Sequence, residues 1–143
     1  MRIVKGRNEL RLPDFMIIGA PRSGTSSLYF HLRRHPEIFM PELKEPLFFN
    51  NFGKEVSPIR SRSPWTLEDY AELFRPASEE QLVGEASALY LCAYRDTINS
   101  IKEVYGDKYR DLGIIAILRN PVERAWSGYL LLKRRGHRGT FSR

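Results

Sequence analysis

The stretch Phe15–Leu32, "FMIIGAPRSGTSSLYFHL", decides the fold. Its first five residues form a continuous apolar run ending in Gly19, the pattern of a buried parallel strand. From Ser23 to His35 the apolar residues, Leu28 and Leu32 among them, recur at helical spacing, and Pro36 closes the segment. Between them lies "GAPRSGTS", Gly19–Ser26, with the G-x-x-x-x-G spacing of a phosphate-binding loop. Gly19 and Gly24 let backbone amides converge on an anion. The following helix offers free N–H groups and a partial positive charge. Ser23, Thr25 and Ser26 add hydroxyl donors. The lysine of a G-x-x-x-x-G-K-[ST] loop is missing: Thr25 stands in its place, and Arg22 lies inside the loop. This argues against transfer of a γ-phosphoryl group from Mg-ATP. So does the end of the best strand candidate, "LGIIAILRN", which carries Arg119 rather than an acid that could hold Mg²⁺. The loop is expected to bind a phosphate-like group without a metal, with Arg22 supplying the charge.

Outward from this loop, strands and helices alternate. "EIFMP" and "QLVGEAS" read as strands, and "LGIIAILRN" as the clearest buried one. "TLEDYAELF" reads as a helix capped by Thr66, with Asp69 in a capping-box position. "YRDTINSIKEVYG" has helical spacing and a glycine stop. "NPVERAWSGYLLLKRR" is the clearest helix, with Asn120 as cap, Pro121 at its first position and basic residues at its end. Residues 50–66 read as a loop, and residues 1–13 as a lead-in without period. The alternation implies an α/β fold with a parallel sheet between helical layers. Ligands then sit at the carboxyl ends of the strands. Both "GAPRSGTS" and "LRNPVERAWSGY" fall there.

The 143 residues suffice for one domain. No apolar run reaches the ~20 residues of a membrane helix, and the first residues lack a secretory apolar core. Cys92 is the single cysteine, which excludes an internal disulfide and fits a reducing, cytoplasmic compartment. It is expected to be a small buried hydrophobe. The net charge of +6 directs attention to anionic partners, such as nucleic acid, an acidic glycan, a nucleotide or a membrane surface. No interleaving of aromatic and basic residues supports nucleic acid. His31, His35 and His137 have no metal-ligand spacing.

At this point the residues resemble the sulfotransferase family, whose donor is 3′-phosphoadenosine 5′-phosphosulfate. Pro21-Arg22-Ser23-Gly24-Thr25 matches its 5′-phosphosulfate loop, near P-[KR]-x-G-T. Arg119 and Ser127, in "LRNPVERAWSGY", match the pair that binds the 3′-phosphate. "KEPLFF", Lys44–Phe49, resembles a K-E-x-x-F-F stretch of the heparan sulfate sulfotransferases and their bacterial relatives. "GEASALY", Gly84–Tyr90, resembles a G-E-x-[ST]-x-x-Y segment of the same enzymes. The four signatures occur in family order between Phe15 and Tyr129.

The resemblance implies a three-layer αβα fold related to nucleotide kinases. It also implies transfer of a sulfuryl group, without a metal, to a hydroxyl or amine of a glycan or small molecule. Donor-site residues would be Arg22, Ser23, Gly24, Thr25, Ser26, Arg119 and Ser127. Glu45 would be the general base and Arg22 the stabiliser of the leaving group, in the position of the family's usual lysine. Lys44 and Glu85 would meet substrate, although Ala86 replaces a lysine common after that Glu in glycan-acting members. Phe48, Phe49, Trp126 and Tyr129 are expected to pack. Family domains continue beyond the position of Arg143, so residues 1–143 are expected to be the N-terminal portion of one. Two other classes remain: a phosphate-loop kinase or hydrolase, and a polyanion- or nucleic-acid-binding module.

Overall fold

The computed structural model describes residues 1–6, 8–52 and 66–141. The chain opens with an antiparallel hairpin of β1 (Arg2–Lys5) and β2 (Asn8–Arg11), in which Lys5 faces Asn8. This corrects the reading of residues 1–13 as an irregular lead-in. The strands are too short to show a convincing period, yet Ile3 and Leu12 are buried in the main core. Gly6 makes the reversal with φ of 62°.

Next come β3 (Phe15–Gly19), α1 (Thr25–Leu32), β4 (Ile38–Phe39), α2 (Phe48–Asn51), α3 (Leu67–Glu72) and β5 (Leu82–Ala86). The chain continues through α4 (Tyr94–Tyr105), a 3-10 turn (Gly106–Asp111), β6 (Gly113–Ala116) and α5 (Pro121–Arg134). The sheet order is β4-β5-β3-β6, and every pairing is parallel. The expected strands and most of the helices therefore form. In α3, Thr66 Oγ1 accepts from Asp69 N–H at 3.0 Å and Asp69 Oδ2 accepts from Thr66 N–H at 3.3 Å, completing the capping box. The loop expected over 50–66 falls largely on 53–65, outside the described residues.

Alternation along β3 divides the core. Phe15 and Ile17 pack with Tyr29 of α1, Met40 and Ala86 on one face. Met16 turns to the other, where Phe48, Phe49, Tyr70, Phe74, Val83, Tyr90, Ile101 and Tyr105 form the larger cluster. The sheet thus lies between α1 and the layer of α2, α3 and α4, as a three-layer fold requires. Phe48 stacks on Tyr70 with ring centroids 4.3 Å apart. Burying each such side chain contributes about 1.5–3 kcal/mol.

Two sequence expectations fail here. β6 has the most strand-like apolar sequence, but it is an edge strand, and Ile114 is 53% exposed. Hydropathy reports what a strand could bury, not which neighbour covers it. Among the described residues nothing pairs with its outer edge, and α5 buries none of its side chains. Cys92 is exposed rather than buried.

Gly84 lies where β5 faces Phe15 of β3. A Cβ there would overlap the Phe15 ring and crowd the Met40 sulfur. Gly84→Ala is expected to lower the unfolding free energy by about 1–3 kcal/mol, read as an earlier urea midpoint with an unchanged slope.

Candidate active site

The carboxyl ends of β3, β5 and β6 meet at one edge, and backbone bonds tie their loops there. Ala20 N–H donates to Ile117 O at 2.8 Å, and Ile117 N–H to Gly19 O at 2.7 Å. Leu91 N–H donates to Ile18 O at 2.9 Å. Crowding excludes a side chain at residue 19, because a Cβ would sit 2.8 Å from Leu91 Cβ and 2.9 Å from Ala88 O. Gly24 caps α1 with φ of 103°, a conformation open mainly to glycine, and no side chain caps that helix end.

Arg22 also has a left-handed backbone, with φ of 68°. For a residue with a side chain this costs on the order of 1 kcal/mol or more. The bend aims the side chain across the loop, and Arg22 Nε donates to Ser127 Oγ at 3.0 Å. The two expected phosphate-binding stretches, 105 residues apart, therefore touch. Arg119 lies at the start of α5, whose cap Asn120 accepts from Val122 N–H at 3.0 Å. Its Nε pairs with Glu123 Oε2 at 2.9 Å.

These residues line a cleft of about 610 Å³. The loop contributes Pro21, Arg22, Gly24, Thr25 and Ser26, and the α5 side contributes Arg119, Ser127, Leu131 and Arg135. Ala88, Leu89 and Glu45 complete the lining. Ser23 is not part of that lining, and its Oγ is buried without a hydrogen-bond partner among the described residues. Three guanidinium groups against one carboxylate, with three hydroxyls and a helix N-terminus, suit a ligand bearing more than one phosphate-like group. Arg135 was not anticipated from the sequence. Its signal was spacing: Ser127, Leu131 and Arg135 recur every fourth residue along one helix face.

Lys44 and Glu85 do not line the cleft. Lys44 Nζ instead pairs with Glu45 Oε1 at 2.6 Å. Glu85, expected to meet substrate, is fully buried. Its position on β5 turns it to the opposite side of the sheet from Ala86, into the larger core. There Oε2 accepts from Tyr70 Oη at 3.0 Å and Tyr90 Oη at 2.9 Å. The "GEASALY" segment reaches the cleft through Ala88 and Leu89 instead. Burial raises the Glu85 carboxyl to about 7, opposed by the nearby hydroxyls of Ser87, Tyr90 and Tyr70 and reinforced by the charge of Glu45. Burial, then the nearby Glu85, pushes the Tyr70 and Tyr90 hydroxyls well above their ordinary value. Phe48 and Phe49 are core residues as expected. Trp126 and Tyr129 pack with Phe141, at 5.5 and 5.3 Å between centroids. Among the described residues no group of three or more His, Cys, Asp or Glu is placed to hold a metal, and no helix is long and apolar enough to cross a membrane.

Fold and cleft together define a parallel α/β domain with a glycine-bounded, arginine-bearing loop at its carboxyl edge. No protein-family model matches the chain. It is 30% identical to mouse carbohydrate sulfotransferase 15, in a match covering 83% of this chain and 27% of that protein. It is 29% identical to the membrane-associated sulfotransferase kil1 of Dictyostelium discoideum, over 84% of this chain and 23% of that one. Mouse heparan sulfate glucosamine 3-O-sulfotransferase 6 is 27% identical, over 89% and 32%. The crystal structure of a sulfotransferase from Alicyclobacillus acidocaldarius superposes with a TM-score of 0.75 at 36% identity, covering 93% of this chain and 54% of that one. The chain belongs to the sulfotransferase family. It spans about a quarter to a third of the length of these curated relatives.

The Glu85 carboxyl yields a pH prediction. Its folded value, about 7, lies above its ordinary value of 4.5, so the folded state holds a proton that the unfolded state has lost between the two. The contribution of this carboxyl to stability is fully present below about pH 4.5 and is lost as pH rises through about 7. The fall is on the order of 3 kcal/mol. Glu85→Gln should remove this component, and urea melts of both proteins across that window will measure it.

Proposed function

We propose that the cleft binds 3′-phosphoadenosine 5′-phosphosulfate and that its sulfuryl group passes to a hydroxyl or amine of an acceptor, with a glycan the favoured class. The observation that carries this reading is the Arg22–Ser127 contact, which places both expected phosphate-binding stretches around one cleft with Glu45. Two of the similar proteins are named for carbohydrate or heparan sulfate acceptors, which supports the glycan.

The donor would supply a sulfur electrophile joined to a 5′-phosphate leaving group. Loop amides, Ser23, Thr25, Ser26 and Arg22 would hold the 5′ end, and Arg119 with Ser127 the 3′-phosphate. The orphaned Ser23 hydroxyl fits such an acceptor of hydrogen bonds. Glu45 would take the proton from the attacking hydroxyl or amine as the new bond to sulfur forms. The bond from sulfur to the bridging oxygen breaks, and Arg22 would neutralise the charge left on the phosphate. Arginine keeps its proton, so this role is electrostatic. A preorganised donor of this kind contributes roughly 2.7–4 kcal/mol. Neither the missing loop lysine nor the Arg119 strand end leaves a place for a kinase-type metal, so donor binding is proposed to be metal-independent.

Titration calorimetry tests the donor site. Arg119→Ala should weaken 3′-phosphoadenosine 5′-phosphate far more than adenosine 5′-phosphate, and equal losses would refute the assignment. Binding should be unchanged by EDTA, and a chelator that abolishes it would favour a kinase-like enzyme. In a turnover assay, Glu45→Gln should slow the reaction by roughly 10²–10⁴ with little change in donor affinity. Arg22→Ala should lower both rate and affinity, while Arg22→Lys should retain much of the rate.

A further inference from the structure

The cleft face of Glu45 depends on an unusual turn. Glu45 and Leu47 both have left-handed backbones, with φ of 59° and 54°. Neither is glycine, so the turn persists only if its surroundings hold it. Three bonds do so, and all end on β5 or the segment after it. Glu45 N–H donates to Ala86 O at 2.9 Å. Leu47 N–H donates to Ser87 Oγ at 3.1 Å. Phe49 N–H donates to Tyr90 Oη at 3.3 Å. Tyr90 in turn donates its own proton to Glu85 Oε2 at 2.9 Å, and Tyr70 of α3 donates to the same oxygen at 3.0 Å.

A fully buried carboxyl is a costly way to fill space, and its Oε1 has no hydrogen-bond partner of ordinary geometry among the described residues. Packing alone would be served by an apolar side chain. What the carboxyl adds is direction. As acceptor it fixes the Tyr90 O–H, which leaves the lone pairs of that hydroxyl facing Phe49 N–H.

We propose that Glu85 is a positioning residue for Glu45: by orienting the Tyr90 hydroxyl it locks the left-handed turn that presents the Glu45 carboxyl to the cleft. "GEASALY" and "KEPLFF" are on this account two halves of one device. The role in turnover rests on the reading of Glu45 as general base, but the mechanical claim does not.

The test is amide hydrogen exchange and backbone chemical shifts, measured by NMR alongside calorimetry with 3′-phosphoadenosine 5′-phosphate. Tyr90→Phe should speed exchange of the Phe49 amide by roughly five- to tenfold, with the sheet amides of Met16 and Ile17 unchanged. Glu85→Leu should do the same and move the Glu45 and Leu47 shifts away from their left-handed values. Glu85→Gln, which keeps an acceptor oxygen, should restore both. Nucleotide binding should be equal in all three variants, because no donor-site residue lies on the turn. With donor and acceptor present, Glu85→Leu should lower kcat and leave the donor KM unchanged. An unchanged Phe49 amide in Tyr90→Phe, or unmoved Glu45 shifts in Glu85→Leu, would overturn the proposal. Failure of every variant and the parent to bind the nucleotide would instead overturn the donor-site reading, leaving the amide result to decide this one.

Discussion

The cleft depends on β3 having a parallel neighbour on each side. Parallel pairing points the carboxyl ends of β3, β5 and β6 to one edge, so the loops that follow them converge. The three short backbone bonds among Gly19, Ala20, Ile117, Ile18 and Leu91 then set their spacing. Glycine at 19 and 84 allows that closeness, since a Cβ at either would collide with its neighbour. Only after this does chemistry enter. Arg22, Ser127 and Glu45 belong to segments distant in sequence, and the sheet edge makes them neighbours.

The strands around the loop were legible because each is a short apolar run bounded by glycine or a cap. The capping box of α3 and the Asn-Pro start of α5 were legible because local chemistry determines them. Other features depend on partners that no local pattern names. The β1–β2 hairpin is held by a few contacts of Ile3, Leu10 and Leu12, too few to show a period. β6 has the composition of a central strand and the position of an edge strand. In the site, Arg22 on the loop and Arg119 ahead of α5 were legible by motif, whereas Arg135 was not anticipated, its one signal being the helical repeat of α5. Glu85 was found by motif and expected to meet substrate, whereas it turns into the core. The alternation of β5 decides that matter: Val83 and Glu85 turn to one core, Gly84 and Ala86 to the other.

Charge is distributed with the same economy. The cleft gathers Arg22, Arg119 and Arg135, and its single acid is already engaged by Lys44. Glu123 restrains Arg119 from outside the lining. Exposed pairs of this kind contribute little to stability. Their effect is geometric, holding long side chains near the places where an anion would meet them.

The left-handed Arg22 has a thermodynamic implication for any anion that enters. A flexible arginine loses rotational freedom when a ligand captures it, and that loss opposes association by about 0.5–1.5 kcal/mol for a side chain of this kind. Here the backbone bend and the Ser127 hydroxyl have already narrowed the choice of rotamers in the free protein. The entropy is surrendered during folding, so less of it remains to be lost on encounter. An anion captured at this loop would therefore lose less entropy, through the same bend that makes the fold itself slightly less stable.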